Sequence, residues 1–171
     1  DDGGFPWKKG MGSHIEQTLS VLECYAQLYM QNLLGDNESL VQLRSEAMNF
    51  LNEKIAGDTA RITRTEKLSS IQLRYLVSQA ILATPLTETE EAGWTMLCEK
   101  AEKGWKSLDL EGKALTAQLL YRIGNQEVAR RIVNSLLSYA TVTDEGIWWQ
   151  NIRSNRNAVG DIRLHTLLMN T

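Results

Sequence analysis

The stretch DLEGKALTAQLLYRIGNQEVARRIVNSLLSY, residues 109–139, decides the fold class, because it carries two helical patterns on either side of one glycine. Asp109 is a favoured N-cap for the first helix, and Gly124 tolerates the positive φ that a helix end requires. Asn125 begins the second helix. Its apolar residues recur at three- and four-residue spacing and are predicted to face inward: Val128, Ile132, Leu136 and Tyr139. The stretch therefore predicts a helical hairpin.

The same plan recurs near the start of the chain. Residues 13–16, SHIE, have the pattern of a capping box, and apolar residues follow them at helical spacing. This pattern predicts a helix that ends just before Gly35, which acts as its stop. A second helix is predicted to start at Asn37 or Ser39 and to run to residues 55–57.

Another pair of helices is predicted in the middle of the chain. The segment GDTARITRTE, residues 57–66, is polar and irregular and is predicted to be a loop. Apolar residues over 68–82 predict a helix that stops before Pro85, because proline disfavours the helical conformation in the residue before it. Residues 87–90, TETE, form a second capping box that opens the next helix, which extends to Ala101.

The last part of the chain loses the helical pattern. Residues 140–161 carry two adjacent tryptophans and polar clusters and are predicted to form a loop, and a short last helix follows over 161–170. No alternating strand pattern extends beyond a few positions, so the predicted fold class is all-α, with paired antiparallel helices. Such pairs fit a bundle, an α-solenoid or a closed α/α toroid. We expect one all-helical domain over residues 1–171.

The composition excludes several classes of partner. The 171 residues are 43% hydrophobic and 23% charged, with a formal net charge of -3. A nucleic-acid-binding surface needs an excess of Lys and Arg on one face, and no basic run occurs, so no nucleic-acid partner is expected. No apolar run approaches the roughly 20 residues of a membrane span. The chain begins at Asp1 without a methionine, so we expect it to be a piece of a longer protein.

The sequence shows no catalytic or metal-binding constellation. His14 and His165 lack the second ligand at helical spacing that a zinc motif requires, and no glycine-rich phosphate loop follows a strand. Glu90, Glu91 and Glu102 have the spacing of a solvated helix face. We therefore predict no catalytic residue, no metal and no cofactor.

Two loops are candidates for a structural or an interface role: residues 3–7, GGFPW, and residues 146–149, GIWW. Tryptophan combines a large apolar ring with one donor, which suits a core edge or a contact surface. We predict that Trp7 and Trp148 pack these loops over helix ends, and that Trp149 contacts a partner because its neighbour must point the other way. The candidate residues are Gly3, Gly4, Phe5, Pro6, Trp7, Gly146, Trp148 and Trp149.

Three segments together resemble a known family. DGGFPWKKGM (2–11), the stretch 114–140 and DEGIWW (144–149) are similar in kind, order and spacing to part of the bacterial α2-macroglobulins. The similar part is the later half of their thioester-containing, complement-like domain, most of all in the Bacteroidetes type. The closing residues 161–170 resemble the helix that follows in that family. Residues 57–108 match the family only in being helical.

Four family features carry this resemblance. They are a Gly-Gly-Phe-x-Trp loop, a helix that ends in glycine, a following helix with Ser-Leu near its end, and a Gly-aromatic-Trp loop. Here they correspond to Gly3 to Trp7, Gly124, Ser135-Leu136 and Gly146 to Trp148. Because they occur in the family's order and spacing, the chain is identified by this resemblance as a member of that family.

The resemblance implies an α/α toroid, of which this chain is the later half, in an extracytoplasmic protein of the periplasm or cell surface. Family members are broad-range protease inhibitors that trap a protease after a bait segment is cut and capture it through an internal Cys–Gln thioester. The implied partners are target proteases and the rest of the parent chain, and no catalysis is expected here. The loop 3–7 is expected to close one end of the ring near residues 146–148, with Lys8 and Lys9 in solvent.

The family's thioester motif, Cys-x-Glu-Gln, is expected upstream of Asp1. Residues 14–18, HIEQT, have histidine where the motif needs cysteine, so they form no thioester, and Glu16 is interpreted as a capping residue. Cys24 precedes a glutamine at the motif's spacing but has alanine in place of glutamate. Both Cys24 and Cys98 lie in helical apolar patterns and are predicted to be small buried residues.

Two alternatives to the inhibitor remain open. One is an α/α-toroid enzyme acting on an isoprenoid or a polysaccharide, because Gly-Gly-Phe and Trp loops also resemble turns of terpene-cyclase and prenyltransferase barrels. Such an enzyme needs an Asp-rich or zinc-binding constellation, which the sequence lacks. The other is an α-solenoid adaptor that binds a peptide. If the chain is half of a toroid, its uncovered apolar faces predict a dimer in isolation.

Overall fold

The structure, a computed structural model, describes residues 2–35, 37–149, 165–169 and 171. It is mostly helical, with 68% helix and 5% strand, which confirms the predicted all-α class. The elements are α1 (Ile15–Met30), α2 (Glu38–Leu51), α3 (Thr59–Arg64), α4 (Ser70–Leu82), α5 (Glu88–Gly104), α6 (Leu110–Arg122), α7 (Gln126–Leu137), β1 (Ala140–Thr143) and β2 (Gly146–Trp149). Of the predicted last helix, residues 165–169 are helical, and residues 161–164 and 170 lie outside the described residues.

The chain divides into two compact units, Asp1–Lys100 and Ala101–Thr171. The first unit contains α1 to α4 and most of α5. The second contains the end of α5, α6, α7 and both strands. The single domain over residues 1–171 and the α/α toroid stay predictions.

The start of α1 differs from the sequence prediction, and the capping box at residues 13–16 is wrong. His14 is the N-cap, and its side chain makes no capping hydrogen bond. The Ser13 hydroxyl instead donates to Oδ1 of Asp2. The preceding loop brings that carboxylate to the helix start, where it takes the hydroxyl that a capping box would use. Glu16 is therefore an ordinary first-turn acidic residue.

The end of α1 also comes earlier than predicted. Asn32 adopts the left-handed conformation, with φ of 55°, and the Leu33 amide donates to the Leu28 carbonyl over 3.0 Å. Asparagine tolerates this conformation better than most residues other than glycine, so the helix ends before Gly35 is reached.

The second predicted helix is confirmed, with one change in its last turn. The Asn37 side chain accepts from the Leu40 amide at the start of α2. The chain then continues as a π-helical turn, Asn52–Ala56, and the Gly57 amide donates to the Asn52 carbonyl over 2.9 Å. Helical structure therefore reaches the predicted end at residue 57.

The prediction of a loop over residues 57–66 is wrong, because α3 lies within it. The Asp58 carboxylate accepts from the Arg61 amide over 2.9 Å and caps the helix. Ile62 is the one buried residue of α3 and anchors this helix to the rest of the first unit. One cap and one apolar anchor therefore outweigh the polar composition that predicted a loop.

The predicted helix over residues 68–82 is confirmed as α4. It begins in a capping box, in which the Ser69 hydroxyl accepts from the Gln72 amide and Oε1 of Gln72 accepts from the Ser69 amide. Ala83 ends the helix in the left-handed conformation, two residues before Pro85. α4 packs mainly against α1, so the antiparallel pairing predicted for α4 and α5 is not the principal contact of α4.

The start of α5 matches the predicted capping box, and its packing depends on a glycine. The Thr87 amide donates to Oε2 of Glu90 over 2.8 Å, and the Glu90 amide donates back to the Thr87 hydroxyl. Gly93 lies directly on the carbonyl oxygen of Ala56, where any Cβ would collide with backbone. α5 therefore approaches the π-helical turn at a distance that only glycine allows.

Two polar side chains buried in the first unit, those of Arg74 and Tyr75, are paired across helices. The Arg74 guanidinium is 4% exposed and donates to both carboxylate oxygens of Glu23, over 2.6 and 2.7 Å. The Tyr75 hydroxyl donates to Oδ1 of Asn52 over 2.9 Å, and burial raises the pKa of this phenol. These bonds tie α4 to α1 and to the π-helical turn, because losing the hydrogen bonds of a buried polar group costs free energy.

The predicted hairpin of α6 and α7 is confirmed. The Asp109 and Asn125 side chains cap the two helices as expected. Gly124 has a φ of 91°, and the Asn125 amide donates to the Leu120 carbonyl over 2.8 Å, which is the hydrogen bond of a Schellman motif. Ile132 and Leu136 are buried as predicted, whereas Tyr139 lies past the end of α7 and is exposed, so its predicted inward position is wrong.

The prediction of an irregular loop after α7 is also wrong for residues 140–149. Strands β1 and β2 pair antiparallel, with Ala140 opposite Trp149 and Thr143 opposite Gly146. The strands are short, but their threonine, valine, isoleucine and tryptophan residues favour extended structure. Gly146 permits the tight turn between them, with a φ of 148°.

The contact between Gly93 and Ala56 predicts a large effect of one methyl group. We expect Gly93→Ala to lower the free energy of unfolding by about 2–4 kcal/mol, because the added Cβ collides with a carbonyl oxygen that cannot move away freely. Gly104→Ala is the matched control in the same helix, since no atom lies within 4 Å of its added Cβ. Urea unfolding followed by circular dichroism measures both changes, and equal stabilities would contradict the packing described.

Candidate functional site

Hydrogen bonds join the two ends of the loop that precedes α1, residues 2–14. The Asp2 carboxylate accepts from the Ser13 hydroxyl and from the Gly4 amide, and these bonds lower the pKa of this carboxyl. The Phe5 amide donates to the Thr18 hydroxyl over 2.8 Å, and the His14 amide donates to the Phe5 carbonyl over 3.0 Å. The loop is therefore closed onto the first turn of α1.

Two glycines in this loop are required by close approach to neighbouring chain. Gly3 has a φ of 79°, and a Cβ on it would collide with the Glu46 carbonyl on α2. A Cβ on Gly4 would lie 2.5 Å from the Cβ of Ser13 and 3.0 Å from the Phe50 ring. The Gly-Gly pair thus lets the loop lie against both α1 and α2, as expected of a structural loop.

The aromatic residue of this loop does not pack as predicted. Trp7 is 59% exposed, and its ring contacts His14 at a centroid distance of 5.8 Å. The predicted packing of Trp7 over a helix end is therefore wrong, because the positions that hold the loop are Gly3, Gly4 and Phe5. Lys8 and Lys9 are exposed, as expected.

The second candidate loop is the β1–β2 hairpin, and here Trp149 is the anchor. Its side chain is 5% exposed, and its Nε1 donates to the Leu136 carbonyl near the end of α7 over 2.9 Å. The ring meets His165 edge to face at 6.3 Å. Trp149 belongs to the core of the second unit, which contains Ala114, Ala117, Leu120, Ala129, Ile132, Leu136, Trp149 and Leu168.

The prediction that Trp149 contacts a partner is therefore wrong. In the strand register, Trp149 pairs with Ala140, and Ile147 pairs with Val142. Residues at alternate positions share a face, so these four apolar side chains lie on one side of the hairpin. The end next to α7 is buried, whereas Val142 and Ile147 remain exposed. Trp148 lies on the opposite face and is half-buried.

The two cysteines differ in exposure. Cys98 is buried as predicted, and burial raises the pKa of its thiol to about 12, so it stays protonated and unreactive at neutral pH. Cys24 is exposed on α1, so the prediction of a buried residue is wrong. Gln27 lies one turn further along the same helix and is also exposed, so Cys24 and Gln27 both lie on the surface of α1.

Two of the glutamates considered in the sequence analysis make hydrogen bonds that stabilise the fold. Glu90 caps α5, and Glu102 accepts from the Asn125 side chain over 2.8 Å. Among residues 2–35, 37–149, 165–169 and 171, no group of three or more His, Cys, Asp or Glu side chains forms a metal site. Within the same ranges, no helix has the length and apolarity needed to cross a membrane.

The two candidate loops lie in different units, so their predicted proximity stays a prediction. Sequence reasoning also missed two basic residues, Lys54 and Arg61, that line a cavity in the first unit. No signal identified them, because Lys54 lies in a π-helical turn and Arg61 in a helix that the sequence did not predict.

Comparisons of the chain with protein-family models, with curated proteins and with solved structures give no match.

Because Trp149 is buried and Trp7 is exposed, truncating them is expected to change stability by very different amounts. We expect Trp149→Ala to lower the free energy of unfolding by about 3–5 kcal/mol, because a buried ring and its hydrogen bond are lost. Trp7→Ala is the matched control, with an expected change of about 0.5 kcal/mol, because most of that ring is in solvent. Denaturant unfolding measures both values. A larger loss for Trp7→Ala than for Trp149→Ala would contradict these positions.

Proposed function

We propose that this chain is a non-catalytic helical module of an α2-macroglobulin-like, broad-range protease inhibitor, from the later half of its thioester-containing domain. The observation that carries the proposal is the ordered resemblance of Gly3 to Trp7, Gly124, Ser135-Leu136 and Gly146 to Trp148 to that family. In this proposal the partners are target proteases and the rest of the parent chain, and the protein is extracytoplasmic.

The local geometry at these positions supports a structural use of the resembling residues. Gly3 and Gly4 allow a loop to lie against two helices. Gly124 ends α6 in the left-handed conformation, and Gly146 begins β2 directly after the turn of the hairpin, with a positive φ. Each glycine therefore serves a backbone need, which is the kind of role that a shared framework would preserve across a family.

The proposal assigns no covalent chemistry to this chain. In the inhibitor, a thioester stores an acyl group that a lysine amine of the protease attacks, with loss of the thiolate as the leaving group. Among the described residues, Cys98 is buried as a thiol with a raised pKa, and Cys24 is an exposed residue within α1. The thioester of the proposal therefore belongs to the upstream half of the domain.

The coding sequence upstream of Asp1 tests this assignment. We expect further helical hairpins with a Cys-x-Glu-Gln motif, preceded by β-sandwich modules and a secretory or lipoprotein signal. The same modules without that cysteine would indicate a trap that works by enclosure alone. A start codon or signal peptide leading directly into DDGGFPW would contradict the proposal and favour an adaptor.

Exposed apolar side chains at the end of α1 support contact with another part of the parent. Leu28, Tyr29 and Leu33 are all more than two-fifths exposed. We propose that the missing half of the domain covers them, and that a second copy does so when the chain is isolated. Sedimentation velocity of the purified chain should show a dimer that Leu33→Asp converts to a monomer. A monomer at all concentrations would contradict the dimer.

A further inference from the structure

A small cavity opens in the first unit, where four elements meet. It lies between the start of α1, the π-helical turn, α3 and the start of α4, and its volume is about 110 Å³. Four isoleucines from these four elements form its apolar lining: Ile15, Ile55, Ile62 and Ile71. Ile55 and Ile62 are buried, so they form the floor, whereas the other two are half-buried.

The charged residues of this cavity are both basic. Lys54 and Arg61 line it, and no aspartate or glutamate does, although the whole chain carries a net charge of -3. Among the described residues, the Arg61 guanidinium has no carboxylate partner. Lys54 pairs with Glu53 over 2.9 Å, but the two side chains are 46% and 70% exposed, so this pair contributes little to stability. An ammonium has three N–H donors, so Lys54 can bind a second acceptor as well.

The remaining polar residues of the lining already bind each other. Ser69 and Gln72 form the capping box of α4, in which the Ser69 amide, the Ser69 hydroxyl and the Gln72 amide are all paired. Charge selectivity in the cavity therefore comes from Lys54 and Arg61. An apolar floor with two cations suits a ligand with an aliphatic body and one anionic end.

We propose that this cavity binds a small free monocarboxylate with a short branched aliphatic chain. The carboxylate pairs with Arg61 and Lys54, and the chain lies against the isoleucines. The size fits, because a dry apolar cavity of about 150 Å³ accommodates a benzene ring, so one of about 110 Å³ suits a chain of roughly four or five carbons. The inference is independent of the proposed inhibitor function.

Isoleucine methyl NMR tests the proposal, since the chain carries its own internal controls. With ¹³C-labelled isoleucine δ1 methyl groups, 3-methylbutanoate should shift the signals of Ile15, Ile55, Ile62 and Ile71, with a Kd of about 1 mM. Signals of the second unit, such as those of Ile132 and Ile147, should not move. Absence of saturable shifts in the four cavity residues would overturn the proposal.

Control ligands test separately whether the charge, the aliphatic chain and the free acid are needed for binding. The neutral 3-methylbutan-1-ol has the same chain and should bind at least tenfold more weakly, as should inorganic phosphate, which has charge without the chain. N-acetylvaline presents the same groups as a peptide C-terminus. Binding of the alcohol or of phosphate as tight as that of the acid would overturn the assigned chemistry. Tighter binding of N-acetylvaline would overturn the assignment to a free acid.

Two variants test whether Arg61 binds the carboxylate. Arg61→Gln should weaken 3-methylbutanoate binding about tenfold, because the unpaired guanidinium is lost. Arg64→Gln is the matched control, since Arg64 lies on the same short helix, is exposed and does not line the cavity. Unchanged methyl spectra without ligand verify that both variants fold. Equal affinities of the two variants would overturn the role of Arg61.

Discussion

The contact between Gly93 of α5 and the carbonyl oxygen of Ala56 is the constraint on which the first unit depends. It brings α5 onto the π-helical turn Asn52–Ala56, whose first residue is held by the buried hydroxyl of Tyr75. The same turn carries Lys54 and Ile55 into the lining of the cavity. The Gly93 contact and the Tyr75 hydrogen bond therefore hold α5 and α4 against the π-helical turn that lines a candidate ligand site.

Helix caps and turns were the features that the sequence predicted best. Asn37, Asp109 and Asn125 cap their helices, and Gly124 ends α6 as expected, because each signal acts within four residues of its position. Ser13 does not cap α1, because its hydroxyl is hydrogen-bonded to Asp2, eleven residues away. The sequence did not predict α3 or the β1–β2 hairpin. Each has a local composition typical of a loop, and each is held by one buried side chain, Ile62 in α3 and Trp149 in β2.

The tryptophans of the two candidate segments have exposures opposite to those predicted: Trp7 is exposed and Trp149 is buried. Trp7 lies in a loop that glycines and backbone hydrogen bonds already hold, so its ring is left in solvent. Trp148 and Trp149 point to opposite faces because side chains alternate along a strand of four residues, and Trp149 is the one that faces α7. A strand that short leaves too little alternation in the sequence to predict which face is buried. The proximity of the two loops stays a prediction.

Protease capture by the parent protein tests the proposed inhibitor function most directly. Purified parent protein is incubated with trypsin, and activity is measured on a small chromogenic peptide and on a folded protein substrate. We expect activity on the small substrate to persist while activity on the protein substrate is lost, because the trapped protease is enclosed and its active site stays open. Loss of both activities, or loss of neither, would contradict an α2-macroglobulin-like trap.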